Sequence, residues 1–352
     1  MDRTIRAAGA LTVACLLLGG TATAVTAATP PLRAALVAAH RFGDHGPMDA
    51  FAAGLDRCAT DLGFQVTKLE SEDPAGYEDD IRAMAADGYD LVLTTFPPMT
   101  QATATVAKEF PDTRFRAIYQ FVNLPGDAEI LPNVESTEYH GNAVAYVLGV
   151  LAGSVSKSGH LGAVSGSDDP AINASTNAWA QGVLSVRPDA HVEFGIAESY
   201  EDPAKGKEIA AAMVSRGVDV ISTEAAKTQL GVIEAAKDAG ILVQGDVADN
   251  AAMDPTGYAG YVALDYSSDV LLACKELADG TWTGGTHQVL DLTTGTYQVP
   301  WDVIDAWAAA QTFTDADTVA TALDRAHAAE AAIRDGSLAL PFDTSTPVAI
   351  GG

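Results

Sequence analysis

The sequence predicts an α/β protein built from two doubly wound, parallel-sheet lobes, and three observations lead to this expectation. From residue 32 onward, short apolar runs alternate with amphipathic helical stretches, which is the pattern of a parallel sheet covered by helices. The alternation restarts near residue 143, so the chain contains two similar halves. Its 352 residues are enough for two domains of roughly 100–200 residues each.

In the first half, each predicted strand is a short apolar run that precedes a helix or a turn. The first helix shows the spacing of one buried face, with Phe51, Leu55 and Leu62 on it. Gly88 ends the second helix, and Pro111 limits the third. The predicted strands are 32–39, 64–69, 90–95 and 115–121, and the predicted helices are 48–62, 77–87 and 99–109.

The second half repeats this rhythm with four more strands. The predicted helices are 143–154, 172–186, 203–216 and 228–239, and the strands are 160–165, 192–197, 218–223 and 241–245. A last helix over 315–335 precedes a strand-like stretch at 337–340. Since no low-complexity linker separates the halves, we expect strands that cross between the lobes to join them.

The first 28 residues have the pattern of a secretory signal peptide. Arg3 and Arg6 supply a positive start, an apolar stretch follows over 7–20, and small residues run to Ala28. The apolar stretch is shorter than the ~20 residues of a spanning helix, which disfavours a membrane anchor. Cys15 is followed by three leucines, a poor match to a lipid-anchoring site. The sequence therefore predicts an exported protein, periplasmic or at the cell surface.

Charge and missing motifs exclude several function classes. The formal net charge of −27 argues against nucleic acid and anionic membrane surfaces as partners. A solvated acidic surface explains this charge, so it does not by itself identify a cationic ligand. The sequence has no Gly-x-Ser-x-Gly, no His-Glu-x-x-His and no Walker loop. We therefore expect a protein that is not an enzyme and that needs no cofactor or metal.

Ligands of open α/β sheets bind beyond the carboxyl ends of the strands, and this rule selects candidate contacts. Aromatic faces there can stack on a planar ring, and carboxylates can accept hydrogen bonds from hydroxyl or amino groups. Turn capping by Asp44 and core packing by Phe42 and Phe96 are the alternatives. The candidates that follow predicted strands are Phe42, Asp44, Phe96, Asp169, Tyr200, Glu224, Asp246 and Asp249.

One run in the second half carries a family resemblance. Ser199-Tyr200-Glu201-Asp202-Pro203-Ala204-Lys205-Gly206-Lys207-Glu208 closely resembles a motif of the basic membrane protein (BMP) family, which includes purine-nucleoside receptors of ABC importers. Further segments resemble that family in the same order, namely 77–89, 106–115, 133–154, 162–182, 231–240 and 333–342. The resemblance implies a type I periplasmic-binding fold, a small ligand between the lobes and a membrane permease as partner. We also expect the protein to be a monomer.

The resemblance also implies where the chain divides. Crossings near residues 139, 250 and 288 would give one lobe of 30–139 plus 251–287 and another of 140–250 plus 288–345. Cys58 and Cys274 would then share the first lobe, which makes a disulfide between them a hypothesis. Two buried, free thiols are the alternative.

The chain departs from the family's nucleoside-binding pattern in three places. Where the family has Asp-Lys-Ser-Phe-Asn, this chain reads Asp44-His45-Gly46-Pro47-Met48-Asp49, so Phe42 or Asp49 would have to replace the missing contacts. The family's Gly-Val-Asp-Ser-Asp here reads Gly245-Asp246-Val247-Ala248-Asp249, and a late family Lys falls close to Tyr266. Asn173 completes the candidate set. A nucleoside or nucleobase is favoured; a sugar, another polar heterocycle and a ligand sensor on the same scaffold remain alternatives.

Overall fold

The computed structural model describes residues 30–43, 47–247 and 249–351, and the chain from Leu32 onward forms one compact unit. The proposed signal peptide lies outside the described residues. Twelve strands are found in this part of the chain: β1 (Arg33–Ala38), β2 (Gln65–Glu70), β3 (Leu91–Thr95), β4 (Arg114–Ile118), β5 (Val134–Tyr139), β6 (His160–Ser165), β7 (His191–Ile196), β8 (Val220–Glu224), β9 (Leu242–Val247), β10 (Tyr258–Leu264), β11 (Thr286–Leu290) and β12 (Tyr297–Gln298).

Ten α-helices lie between and after these strands in the described chain. They are α1 (Pro47–Leu62), α2 (Tyr77–Ala86), α3 (Thr100–Glu109), α4 (Asn142–Val155), α5 (Pro170–Val186), α6 (Pro203–Ser215), α7 (Gln229–Ala239), α8 (Tyr266–Asp279), α9 (Trp301–Ala310) and α10 (Ala316–Arg334). Several helices begin at the capping residues and prolines that predict a helix start. For example, Asp202 accepts a hydrogen bond from the Lys205 backbone N–H, and Pro203 takes the first helical position of α6.

The strands form two separate six-stranded sheets, one in each lobe. The first has the order β11-β5-β4-β3-β1-β2, and the second has the order β12-β10-β9-β8-β6-β7. All pairs are parallel except β10 with β12. β3 is buried along its whole length, as expected for a central strand with helices on both faces.

The chain crosses between the lobes three times, but the second crossing differs from the prediction. At the first crossing the chain leaves the first sheet after β5, and the third crossing lies between β11 and β12. A return near residue 250 was expected, yet β10 pairs with β9, with Val262 opposite Asp246. The return is therefore at Asp265, since the residues of β10 extend the second sheet. The first lobe comprises 32–139 and 265–290, and the second comprises 140–264 and 291–351.

Two helices that are distant in sequence pack tightly in the first lobe. A Cβ on Gly54 of α1 would lie 2.5 Å from the backbone oxygen of Ser267 on α8, so only glycine permits this approach. Cys58 and Cys274 are fully buried at the same interface. Their Cα atoms are 6.0 Å apart and their Sγ atoms are 2.14 Å apart, which is bonding distance.

The C-terminal segment after α10 is not the predicted strand. Residues 337–340 have no strand partner, because the backbone N–H of Leu338 donates to Ala332 at the end of α10. The segment then lies along α5, where Asn177 donates to the backbone oxygens of Asp343 and Ser345. In the described residues, no helix has the length and apolar character needed to cross a membrane.

Candidate ligand-binding site

A cavity of about 690 Å³ lies between the lobes, at the carboxyl ends of the strands. Both lobes contribute to its wall, with Pro47 and Tyr119 from the first and Ser175 and Glu224 from the second. Its aromatic lining consists of Tyr119, Tyr139, Tyr200, Tyr266 and Tyr297. This position is the one at which doubly wound sheets bind their ligands.

Three residues of the cavity wall have an unusual backbone. Tyr119, Ala226 and Val247 have positive φ angles of 51°, 44° and 54°, a region that side chains with a Cβ seldom adopt. Each of them lies where the chain ends a strand or has just left one. Such strained positions cluster at functional sites, where the surrounding structure holds them in place.

Two carboxylates face the cavity from neighbouring strands of the second sheet. Ser222 of β8 lies opposite Gln244 of β9, and the same register two residues further brings Glu224 beside Asp246. Burial, together with the Asp246 charge, holds the pKa of Glu224 well above its usual range. Burial likewise raises the pKa of Asp246 to about 7. The pair is thus protonated more readily than ordinary carboxyl groups are.

The backbone of Asp246 is fixed by α7. Its N–H donates to the Gln229 side-chain oxygen at 3.0 Å, and the Gln229 amide donates to the Asp246 carbonyl at 3.2 Å. Gln229 is buried and lines the cavity as well. The hydrogen bonds hold the end of β9 in place, so the position of the Asp246 carboxylate does not depend on a mobile loop.

The start of α5 brings a further carboxylate to the cavity. Asp169 caps this helix and accepts a hydrogen bond from the Ala171 N–H at 3.0 Å, while its side chain still lines the cavity. Its neighbour Asp168 accepts hydrogen bonds from Asn173 at 2.6 Å and from Thr346 at 2.9 Å. The C-terminal segment therefore supports the loop that presents Asp169.

Tyr200 reaches the cavity because a glycine makes room for its ring. A Cβ on Gly166 would lie 2.3 Å from the Tyr200 ring, so any larger residue there would displace it. The Tyr200 hydroxyl is 2.7 Å from the Ser167 hydroxyl. The side chain is 36% exposed, which leaves ring surface free to contact a ligand.

The tyrosines of the first lobe form a connected aromatic wall. Tyr119 and Tyr139 have ring centroids 5.5 Å apart, and Tyr139 and Tyr266 have centroids 5.4 Å apart. The Tyr139 hydroxyl donates to Asp269 at 2.8 Å, and Asp269 is also paired with the fully buried Arg116 at 2.7 Å. The wall is thereby anchored in the lobe core.

The structure places four of the predicted contacts in the cavity wall: Asp169, Tyr200, Glu224 and Asp246. Phe42 instead packs on the core of the first lobe, and Asp49 accepts a hydrogen bond from the Gly43 N–H at 2.6 Å. Phe96 lies behind the wall, with its ring 6.2 Å from that of Tyr119. Asp44 lies outside the described residues.

The other two predicted contacts have structural partners. Asn173 donates to Asp168 and to the backbone oxygen of Thr344, and it is absent from the cavity wall. Asp249 is exposed and accepts a hydrogen bond from the Ala251 N–H at 2.8 Å. Asp246 therefore faces the cavity, although the alignment with the family's motif favoured Asp249 as the matching carboxylate.

Sequence reasoning missed four of the five tyrosines. Tyr139 ends β5, a strand that the apolar pattern did not reveal because Glu135, Ser136 and Thr137 interrupt it. Tyr119 directly follows β4, so the strand-end rule would have selected it had the strand not been extended to residue 121. The resemblance pointed to the position of Tyr266, where the family has a late Lys, but did not predict a contact by the tyrosine itself. Tyr297 follows a crossing, where the sequence has no local signal for a site.

Comparison with known proteins identifies the family. The family model described as ABC transporter substrate-binding protein PnrA-like matches residues 32–311. A purine-binding protein of Brucella abortus is 29% identical over 219 residues, which are 62% of this chain and 60% of that protein. The nucleoside-binding protein BmpA of an ABC transporter from Lactococcus lactis is 30% identical over 49% of this chain and 47% of that protein.

The matched segments thus span about half to three fifths of these curated relatives. A solved ABC transporter solute-binding protein from Conexibacter woesei has a TM-score of 0.67 and is 23% identical, covering 89% of this chain and 99% of that one. This likeness confirms the expected type I periplasmic-binding fold. With the family model matching most of the chain, and the BMP resemblance confirmed, the protein belongs to the PnrA-like family of ABC transporter substrate-binding proteins.

Proposed function

We propose that the protein is the extracytoplasmic binding component of an ABC importer and that it takes up a nucleoside or nucleobase in the cavity between its lobes. The observation that carries this proposal is the cavity itself, which both lobes line with aromatic rings and with polar groups. Its volume of about 690 Å³ lies within the ~300–1,000 Å³ of typical small-molecule sites. The relatives named for purine and nucleoside binding support the ligand class.

The lining matches a planar ligand with polar edges. Tyrosine rings such as Tyr119 and Tyr200 offer faces for stacking, which adds about 0.5–1.5 kcal/mol for a well-placed aromatic pair. The polar edge of the ligand would meet Glu224, Asp246 and Ser175, since a buried polar group left without a partner costs about 1–3 kcal/mol. Stacking and edge recognition together would hold one ring in one orientation.

The three crossings suggest how capture is signalled to a permease. Rotation about segments near residues 140, 265 and 291–296 would close the lobes around the ligand, as hinge motions do in binding proteins of this architecture. The closed pair of lobes would then dock on the membrane permease. We further propose that residues 1–28 direct export, that the protein acts as a monomer outside the cytoplasm, and that it releases its ligand chemically unchanged.

A thermal-shift screen of the purified protein tests this function. A ligand at 100 times its dissociation constant stabilises the folded state by about 2.7 kcal/mol, which should raise the melting temperature by about 4 °C or more. We expect such a shift with nucleosides or nucleobases, and mass spectrometry should recover the compound unaltered. A shift with sugars alone would overturn the ligand class, and a converted compound would overturn the role as a carrier.

A further inference from the structure

The inner part of the cavity carries negative charge that no cation among the described lining residues matches. Among the described lining residues, the acidic side chains are Asp169, Glu201, Glu224 and Asp246, and the only basic one is Lys227. Lys227 is bound to Glu201 at 2.7 Å, and both side chains are about two-thirds exposed, so they form a pair near the solvent. Asp169, Glu224 and Asp246 therefore face the cavity without a positively charged lining residue of their own.

Glu224 and Asp246 are the most enclosed of these groups. Glu224 is only 8% exposed, and the Ser175 hydroxyl is the side-chain partner that favours its charged form. Asp246 is supported by the backbone N–H of Ala226. Neither contact brings a positive charge, so two adjacent carboxylates, one buried and one half-buried, must either share a proton or remain unfavourably charged.

Among the described residues, no other element that packs against this pair supplies the missing charge. The titratable groups that surround Asp246 in the described structure are Glu224 on β8, Asp169 at the start of α5, Tyr200 after β7, Lys227 before α7, Tyr258 on β10 and Tyr297 on β12. Lys227 is engaged with Glu201, and the remaining groups are acidic or phenolic. The cavity therefore presents hydrogen-bond acceptors and negative charge at its inner end.

We infer that the ligand is a planar heterocycle with a positively charged nitrogen group, which binds between the carboxylates of Glu224 and Asp246. This inference rests on the proposed function and narrows its ligand class. An amidine-like or protonated ring edge offers N–H donors and the charge that the pair lacks, and charge-assisted hydrogen bonds of this kind are about twice as strong as neutral ones. A neutral purine edge also carries ring-nitrogen acceptors, and carboxylates that are both charged cannot donate to them.

Binding of a cation should also release a proton. The empty pair holds one near neutral pH, since the pKa of Asp246 is raised to about 7 and that of Glu224 is raised as well. A cation favours the charged carboxylates and lowers both pKa values. Affinity for a cationic ligand should therefore rise with pH between about pH 6 and pH 8, and protons should leave the site as the ligand binds near pH 7.

The test compares three nucleosides of nearly the same shape by isothermal titration calorimetry. Adenosine is neutral, N6-methyladenosine adds a methyl group without charge, and 1-methyladenosine adds a methyl group with a positive charge. At about pH 8, we expect 1-methyladenosine to bind at least about tenfold more tightly than either neutral compound, a difference of about 1.4 kcal/mol. Titrations of 1-methyladenosine near pH 7, in two buffers of different ionisation enthalpy, should show the released proton.

Two variants test whether Asp246 causes the preference for the cationic nucleoside. Asp246→Asn keeps the shape of the side chain but removes its charge, and it should reduce the preference for 1-methyladenosine to within about threefold. Asp189→Asn makes the same chemical change at an exposed carboxylate before β7, at the other end of the second sheet, and should keep the full preference. Melting curves of both variants show that they are folded.

The outcomes separate the two proposals. If adenosine binds as tightly as 1-methyladenosine, or if no proton is released, the cationic ligand is wrong while nucleoside binding stands. If none of the three nucleosides binds, the nucleoside function fails and this inference fails with it. A tenfold preference that persists in Asp246→Asn would also overturn the inference, because the charge would then be recognised elsewhere.

Discussion

At the scale of single residues, the protein buries carboxylates in two different ways. In the core of the first lobe, Arg116 is fully buried and lies 2.6 Å from Glu135 and 2.7 Å from Asp269. The guanidinium supplies positive charge to both carboxylates, which lowers the cost of burying them. In the part of the chain that the structure describes, Glu224 and Asp246 have no such cation, although they are also enclosed. The first cluster therefore supports the fold, while the second is expected to weaken the empty protein.

This difference makes the stability of the ligand-free protein depend on pH. The folded state raises the pKa of Asp246 from its usual 3.8 to about 7, so the folded protein holds its proton more tightly than the unfolded chain does. The stabilisation of the folded state by this bound proton is complete below about pH 4 and is lost as the pH rises through about 7. At pH 8, Asp246→Asn should thus raise the free energy of unfolding by about 1 kcal/mol and the melting temperature by about 2–4 °C. Near pH 4 it should change the melting temperature little.

Melting curves of the wild type, Asp246→Asn and Asp189→Asn without ligand provide the measurement. The exposed Asp189 should show no such pH-dependent gain, because water solvates its carboxylate in the folded and in the unfolded protein. A gain by Asp246→Asn that is equally large near pH 4, where the wild-type carboxyl is protonated, would contradict the assigned cause.

At the scale of elements, the second lobe depends on the close contact of α4 and α5. A Cβ on Gly149 would lie 2.0 Å from the backbone oxygen of Trp179, and one on Gly182 would lie 2.2 Å from that of Tyr146. These glycines let two helix backbones touch directly. The contact also fixes the start of α5, where Asp169 enters the cavity wall. Helix packing and ligand binding are thus linked through one element.

Gly149→Ala should therefore destabilise the protein strongly. Its new methyl group meets backbone on the facing helix, which cannot move aside as a flexible side chain can, and overpacking of this kind costs about 1–3 kcal/mol or more. Gly76→Ala is the matched control, since a Cβ there would meet only Asp80 Oδ2 at 3.7 Å and the backbone is helical with φ of −94°. Urea unfolding compares the two; equal losses would contradict the packing argument.

At the scale of the whole molecule, a disulfide joins the two parts of the first lobe, which the second lobe separates in sequence. Cys58 and Cys274 are 216 residues apart in sequence, and all of the second lobe up to β10 lies between them. A bond that closes so long a loop restricts the unfolded chain greatly, and native disulfides contribute about 2–5 kcal/mol. The double variant Cys58→Ala/Cys274→Ala should lose stability of this size in urea unfolding.

The wild type under reducing conditions provides the comparison for this variant. It should unfold at nearly the same urea concentration as the double variant, since both lack the bond. Alkylation of the unfolded, unreduced wild type should leave Cys58 and Cys274 unmodified in intact-mass measurements. Modification of both thiols in that sample would show that the bond does not form.

Most of the regular elements could be predicted because their signals are local. Apolar runs such as 90–95 and helix starts such as Asp202-Pro203 depend on neighbouring residues only. β5 escaped prediction because its polar residues are satisfied by distant partners, among them Arg116 for Glu135 and Asp269 for Thr137. Most of the β5 residues are polar, so the strand lacks the apolar run that predicts a buried strand, although it is buried.

The sequence by itself determined the two-lobed α/β architecture, the family and the strand ends that border the cavity. Only the tertiary structure decided which side chains face the cavity and where the chain returns to the first lobe. Asn173 follows a strand end, yet Thr344 and Asp168 engage it, whereas Tyr266 reaches the cavity from beyond a crossing. The physical reason is that side-chain direction depends on backbone angles and on packing against segments far away in sequence, and local residue patterns contain neither.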